Sequence, residues 1–111
     1  MKNKLIAAGF LIMAFLAATA AQADNFNRRV KIENYTSQTM MYFYASNVDR
    51  TTWEEDILGS SVVPAGRSIM INIDDGSGYC RFDFRAIFAD GSESVRSGVN
   101  VCEVGVYTYY D

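Results

Sequence analysis

From Val30 onward, apolar and polar residues alternate in short runs with a period of two. No long stretch carries the spacing of an amphipathic helix. Successive side chains of a strand point to opposite faces, so each run predicts a strand. The runs cover 29–34, 39–45, 68–73, 79–88, about 93–99 and about 102–109. Val30 and Ile32 share a face in the first, and Ile69, Ile71 and Ile73 share one in the third. The 79–88 run is the plainest: Cys80, Phe82, Phe84, Ala86 and Phe88 alternate with Arg81, Asp83, Arg85 and Ile87. One buried and one charged face is the pattern of an antiparallel sheet with one wet side. In the second run, Met41, Phe43 and Ala45 alternate with Met40, Tyr42 and Tyr44, so both faces are apolar or aromatic. That predicts a central strand.

Turn chemistry separates the runs. Asn34-Tyr35-Thr36-Ser37 is a polar connection, and it also matches a glycosylation sequon. Val63-Pro64-Ala65-Gly66 is a turn, Asp74-Asp75-Gly76-Ser77-Gly78 a tight loop, and Asp90-Gly91 a hairpin signal. Residues Trp53 to Gly59 suggest one helical turn, capped by Thr51 or Thr52. Residues 24–29 read as a loose polar arm. The sum is an all-β chain: a small antiparallel β-sandwich of six or seven strands.

The beginning of the chain breaks this pattern. Lys2 and Lys4 precede an apolar run from Leu5 to Ala18, and Ala21-Gln22-Ala23 is an A-x-A cleavage site. A positive start, a short apolar helix and small residues at the cut define a secretory signal peptide. The run is shorter than the roughly 20 residues of a spanning helix, which argues against a membrane anchor. The expected organisation is therefore a signal peptide over 1–23 and a single domain over 24–111, working in the periplasm or outside the cell.

Removing the leader changes the charge. The full chain of 111 residues has a formal charge of −3. The leader carries Lys2 and Lys4 and no acid, so the mature chain stands at −5. A basic face is what nucleic acid and anionic lipid require, so neither is an expected partner. A domain of this length is marginally stable from its core alone. Cys80 and Cys102 are the only cysteines. An oxidising compartment favours a disulfide between them, the alternative being two free buried thiols.

Candidate chemistry is sparse. The chain has no histidine. The usual general base near neutral pH and the commonest transition-metal ligand are therefore missing. Histidine-dependent hydrolysis is excluded, and a disulfide consumes both thiols. Carboxylate pairs among Glu54, Glu55 and Asp56, or Asp74 and Asp75, are the remaining catalytic option, in a domain with little room for a sugar cleft. Calcium is the sharper idea, since it takes oxygen ligands from acidic, glycine-bent loops. Asp74-Asp75-Gly76 is such a loop, with Asp56 or Asp49 as a further ligand, although EF-hand spacing is missing. The plainer reading makes Asp74 and Asp75 acceptors for turn N–H groups. Trp53, the single tryptophan, is either an exposed anchor for a protein or glycan partner or a plug closing one end of the sandwich. Tyr42, Tyr44, Tyr107, Tyr109 and Tyr110 either form a tyrosine-rich binding face or pack across strands.

The signatures follow one another in a fixed order: Val30-x-Ile32-x-Asn34-x-Thr36, Trp53-x-x-Asp56-x-Leu58-Gly59, Pro64-x-Gly66, Asp74-Asp75-Gly76-x-Gly78-x-Cys80, Asp83-x-Arg85-Ala86-x-Phe88-x-Asp90-Gly91 and Asn100-x-Cys102-Glu103. In this series the sequence resembles a family of small exported bacterial proteins to which no activity is assigned. Some similar sequences bear an argininosuccinate lyase label. That name does not transfer to a chain this short, without histidine or a core of long helices. The reading is an exported, non-enzymatic binding or structural module without a cofactor; the alternative is a calcium-dependent binding module using the Asp74-Asp75-Gly76 loop.

Overall fold

The computed structural model describes residues 25–111. The signal peptide expected over Met1–Ala23, with its helix, lies outside the described residues. The described residues form six strands: β1 (Arg29–Tyr35), β2 (Met40–Asn47), β3 (Arg67–Asn72), β4 (Arg81–Phe88), β5 (Glu93–Asn100) and β6 (Val106–Tyr110). They make two three-stranded sheets, ordered β3-β1-β6 and β2-β4-β5. The sheets face each other across an aromatic core. Phe84 of one sheet meets Tyr107 of the other with ring centroids 5.3 Å apart, and Phe88 meets Tyr109 at 5.9 Å. Phe43, Phe82 and Phe84 are fully buried. Each contributes roughly 1.5–3 kcal/mol relative to an exposed ring.

One pairing departs from the antiparallel expectation. β1 and β6 run parallel, with Ile32 opposite Tyr107 and Asn34 opposite Tyr109. Alternation has the same period in either direction, so the sequence pattern does not distinguish them. The chain path does. Only the β4–β5 hairpin stays within one sheet; every other connection crosses between sheets. After β2 the chain runs back along the open edge of that strand before starting β3. Met40 and Val63 exchange both backbone hydrogen bonds, at 2.9 and 3.0 Å. Phe43 O accepts from Ile57 N at 2.8 Å, and Phe43 N donates to the Asp56 carboxylate at 2.8 Å. This return takes the place of a seventh strand and delivers the chain to the Asn34 end, where β3 starts antiparallel to β1. β5 ends at the disulfide end, so β6 starts there and runs alongside β1.

The same return explains two further differences. β2 is an edge strand of its ladder, although its two apolar faces suggested a central one. The 56–63 segment covers the edge, so the strand is flanked on both sides as its composition requires. Residues 53–59 form no helix; a hydrogen-bonded turn follows at 57–60, and Thr51 and Thr52 cap nothing. Asp56 supplies the local order, its Oδ1 accepting from Leu58 N at 3.1 Å as well as from Phe43 N. A short sequence whose backbone groups are claimed by a strand edge has no use for helical bonds.

Two bulges adjust the faces. Register shifts between Met40 and Tyr42, so Met40 and Phe43 both enter the core despite their spacing. A second shift places an extra residue in β5 opposite Phe82–Phe84. Gly98 occupies it at φ +70°, a left-handed conformation that suits glycine. Asp83 accepts from Gly98 N at 3.0 Å and Arg81 donates to Gly98 O at 3.0 Å. Two of the three charged side chains on the wet face of β4 thus hold a bulge, while the third, Arg85, pairs with Glu93 at 3.0 Å.

The two ends of the sandwich are built differently. At one, the Asp90-Gly91 hairpin, the 36–39 turn and the Pro64–Gly66 turn meet around Asn34, which is fully buried. Asn34 Nδ2 donates to Gln38 O at 2.8 Å and to Val63 O at 2.9 Å. Its Oδ1 accepts from Thr36 N and Thr36 Oγ1 at 3.2 and 2.7 Å. Because both amide protons are taken, the sequon nitrogen is inaccessible in the folded chain. At the other end, Cys80 and Cys102 form a disulfide, with Cα atoms 5.3 Å apart. It closes the open end of the β4–β5 hairpin, just outside Arg81 and Asn100.

The tyrosines do not share one face. Tyr107 and Tyr109 line the core, Tyr35 and Tyr110 pack edge to face outside β1 and β6, and Tyr42 and Tyr44 lie on β2. Tyr109 Oη is buried without a hydrogen-bond partner among the described residues. Burial, with the nearby Tyr107, drives its ionisation far above the usual phenol range. An unpartnered buried hydroxyl carries a desolvation cost of about 1 kcal/mol or more. Tyr109→Phe is therefore expected to raise stability by about 0.5–1 kcal/mol in urea unfolding. A loss of stability would show that the hydroxyl has a bonding role.

Candidate functional site

The disulfide end gathers most of the side chains that the sequence singled out. Its scaffold is made of the 48–57 segment after β2, the 73–80 loop before β4, and Arg28 before β1. Arg28 is buried, contrary to the loose polar arm expected for this segment. Its Nε donates to Tyr79 O at 2.7 Å and its Nη2 to Gly78 O at 2.9 Å. Its own carbonyl accepts from Ile73 N at 2.9 Å. A planar guanidinium reaches two successive carbonyls in fixed geometry, so Arg28 clamps the loop just ahead of Cys80.

Within that loop the acids act first on their own backbone. Asp74 Oδ1 accepts from Gly76 N at 3.0 Å, and Asp75 Oδ1 accepts from Ser77 N at 2.9 Å. These are turn acceptors of the kind short acidic side chains supply. Asp75 reaches further, its Oδ2 accepting from Nδ2 of the buried Asn47 at 3.0 Å. Burial alone would raise the Asp75 pKa, but the hydrogen bonds from Ser77 and Asn47 outweigh it and hold the carboxyl below its ordinary range. Tyr79 Oη donates to Asp49 across the gap between the loops. That carboxylate, by hydrogen bond and by charge, raises the tyrosine's pKa. Asn47–Asp75 and Asp49–Tyr79 thus tie the two loops together.

Between the loops lies an open trough of about 310 Å³. Ala45, Ile57 and Ile73 are among its apolar lining residues, and Glu54, Glu55, Asp74 and Asp75 bring the carboxylates. Arg50 also lines it, paired with Glu54 at 2.7 Å. A second hollow of about 220 Å³ shares Ser46 and Arg50 with the first and extends to Trp53 and Asp83. Glu54, between them, is the one non-glycine residue at positive φ among the described residues, at +65°. Such a backbone is uncommon for a side chain of this size and persists only where its surroundings fix it. Thr52 Oγ1 and Arg50 both donate to its carboxylate.

The predicted site residues therefore separate. Asp74 and Asp75 border the trough, whereas the Asp56 carboxylate serves the backbone of Phe43 and Leu58. Among the described residues, no group of three or more His, Cys, Asp or Glu side chains is arranged to hold a metal ion. Trp53 does not plug the core; Leu58 is the buried residue of that segment. Trp53 is half-buried, with the Arg85 guanidinium 6.0 Å from its ring centroid and 5.5 Å from that of Tyr44. The sequence reading missed Arg28, Asn47 and Arg50. Arg28 carried a faint signal, a cation at the edge of the first strand; the other two are fixed only by how the loops meet. Comparison with protein-family models, curated proteins and solved structures gives no match.

Proposed function

We propose that the protein is an exported binding module without catalytic activity, and that its ligand surface is the trough between the 48–57 and 73–80 loops. The observation that carries this reading is the placement of Trp53, Ile57 and Glu54. Ile57 is 37% exposed and Trp53 stands outside the core, although a marginal core has use for both. Glu54 keeps an uncommon backbone conformation between them. Rigid scaffolds commonly carry recognition on such loops. Absence of histidine and capture of both thiols in the disulfide support a non-catalytic role. Export to an oxidising compartment agrees with that disulfide and with the leader-like first residues.

Trp53 is the single tryptophan and lines the adjacent hollow that shares Ser46 and Arg50 with the trough, so its emission reports on the trough's border. Titration of the mature protein with panels of short peptides and oligosaccharides is expected to shift Trp53 emission saturably for at least one class, with no turnover of the probe. Turnover abolished by Glu55→Gln or Asp74→Asn, in variants that stay folded, would replace this reading by a carboxylate hydrolase.

A further inference from the structure

We propose that the occupant of the trough is a lysine or arginine side chain presented by an extended basic segment of a partner protein; this rests on the binding reading above. The hollow is not simply an acidic patch. Its lining joins Ala45, the half-exposed Ile57 and the edge of the buried Ile73 to four carboxylates. A small hydrated cation has no use for the apolar part, and a neutral apolar group would strand the carboxylates against it. A long cationic side chain satisfies both, laying its methylene stem on apolar surface and its charged head among acids.

Charge and size agree with that occupant. Glu54 is already paired with Arg50. Glu55 and Asp74 Oδ2 have no hydrogen-bond or ion-pair partner among the described residues, so they remain to receive a cation. Asp75 faces the same hollow with both oxygens engaged, Oδ1 by Ser77 N and Oδ2 by Asn47, so it adds charge to the hollow without a free oxygen. The volume of about 310 Å³ lies at the lower bound of ligand pockets, room for one side chain rather than a folded ligand. Ser46 and Arg50 also line the adjacent hollow beside Trp53, which places a second concave surface within reach of the neighbouring residues of an extended chain. The mature chain's negative charge favours encounter with a basic segment and makes that encounter salt-dependent.

The test is an NMR titration of the mature, disulfide-bonded protein with the peptides Gly-Lys-Gly, Gly-Arg-Gly, Gly-Glu-Gly and Gly-Gln-Gly. The lysine and arginine peptides are expected to shift the amides of Ile57, Asp74 and Asp75. Affinity is expected to fall about tenfold in Glu55→Gln/Asp74→Asn and severalfold on raising salt from 50 to about 300 mM. Asp74→Asn keeps the acceptor for Gly76 N, so the loop is preserved, and unchanged Tyr79 and Ser77 shifts verify it. An equal response in the doubly neutralised variant overturns the proposal. A response to the glutamine or glutamate peptide alone overturns the cationic occupant and leaves the binding reading standing. Silence from all four peptides, with saturable Trp53 shifts from an oligosaccharide, does the same; silence from every probe overturns both.

Discussion

Asn34→Asp is expected to destabilise the domain by about 3–5 kcal/mol at neutral pH, the largest effect of any single-atom exchange in the chain. The two side chains have the same shape, so packing is unchanged. What changes is the hydrogen bonding. Asn34 Nδ2 donates to the carbonyls of Gln38 and Val63. A carboxylate there presents an acceptor to two acceptors, inside a site with no exposure to water. Protonation rescues at most one of the two bonds. The damage spreads because Val63 also pairs with Met40, so the covering of the β2 edge depends on it. Urea unfolding with an unchanged slope is the measurement. Stability should partly recover at low pH, where the introduced carboxyl is neutral. A loss below about 1 kcal/mol would mean that Asn34 is not the junction of this end of the sandwich.

The second large effect concerns the other end. Cys80→Ala/Cys102→Ala is expected to lower stability by about 3 kcal/mol, the chain-entropy value for cysteines 22 residues apart. For a domain of this size that corresponds to a fall of roughly 12–24 °C in melting temperature. The loss should be uneven. The Asp90-Gly91 end of the hairpin keeps its turn, while the residues joining Gly78 to Arg81 lose one of their two restraints. Arg28 remains as the other, holding the carbonyls of Gly78 and Tyr79. Amide exchange at 78–81 is therefore expected to accelerate more than at 86–95 under native conditions. Uniform acceleration would indicate that the disulfide stabilises only through the unfolded chain.

These two sites show which features the sequence made legible. Alternation from Tyr79 to Phe88 marked the buried face of β4 residue by residue, because a half-buried strand writes its period directly into its composition. Cys80 and Cys102 were readable as a pair because a count of two, with the exported compartment expected from the first residues, leaves few alternatives. Asn34 was readable as a turn residue but not as a buried junction, since one of its partners, Val63, arrives only with the return of a distant segment. The parallel partnership of β1 and β6 was hidden because it depends on the end of the sandwich at which β5 leaves the chain, and alternation does not record that. The trough was legible only in part: Asp74, Asp75 and Trp53 stood out by type, whereas Asp56 stood out equally and serves the backbone of β2. Residue type suggests chemistry; which backbone groups each carboxylate already satisfies decides whether any is left for a ligand.

The proposed ligand surface lies at the disulfide end, between the 48–57 and 73–80 loops. A residue-resolved amide shift map of the mature protein with a bound probe tests it most directly. The expected map has its largest changes at Glu55, Ile57, Asp74 and Asp75, with Trp53 moving in step. Changes concentrated instead around Gln38, Ser92 and Asp111, at the opposite end, would contradict it.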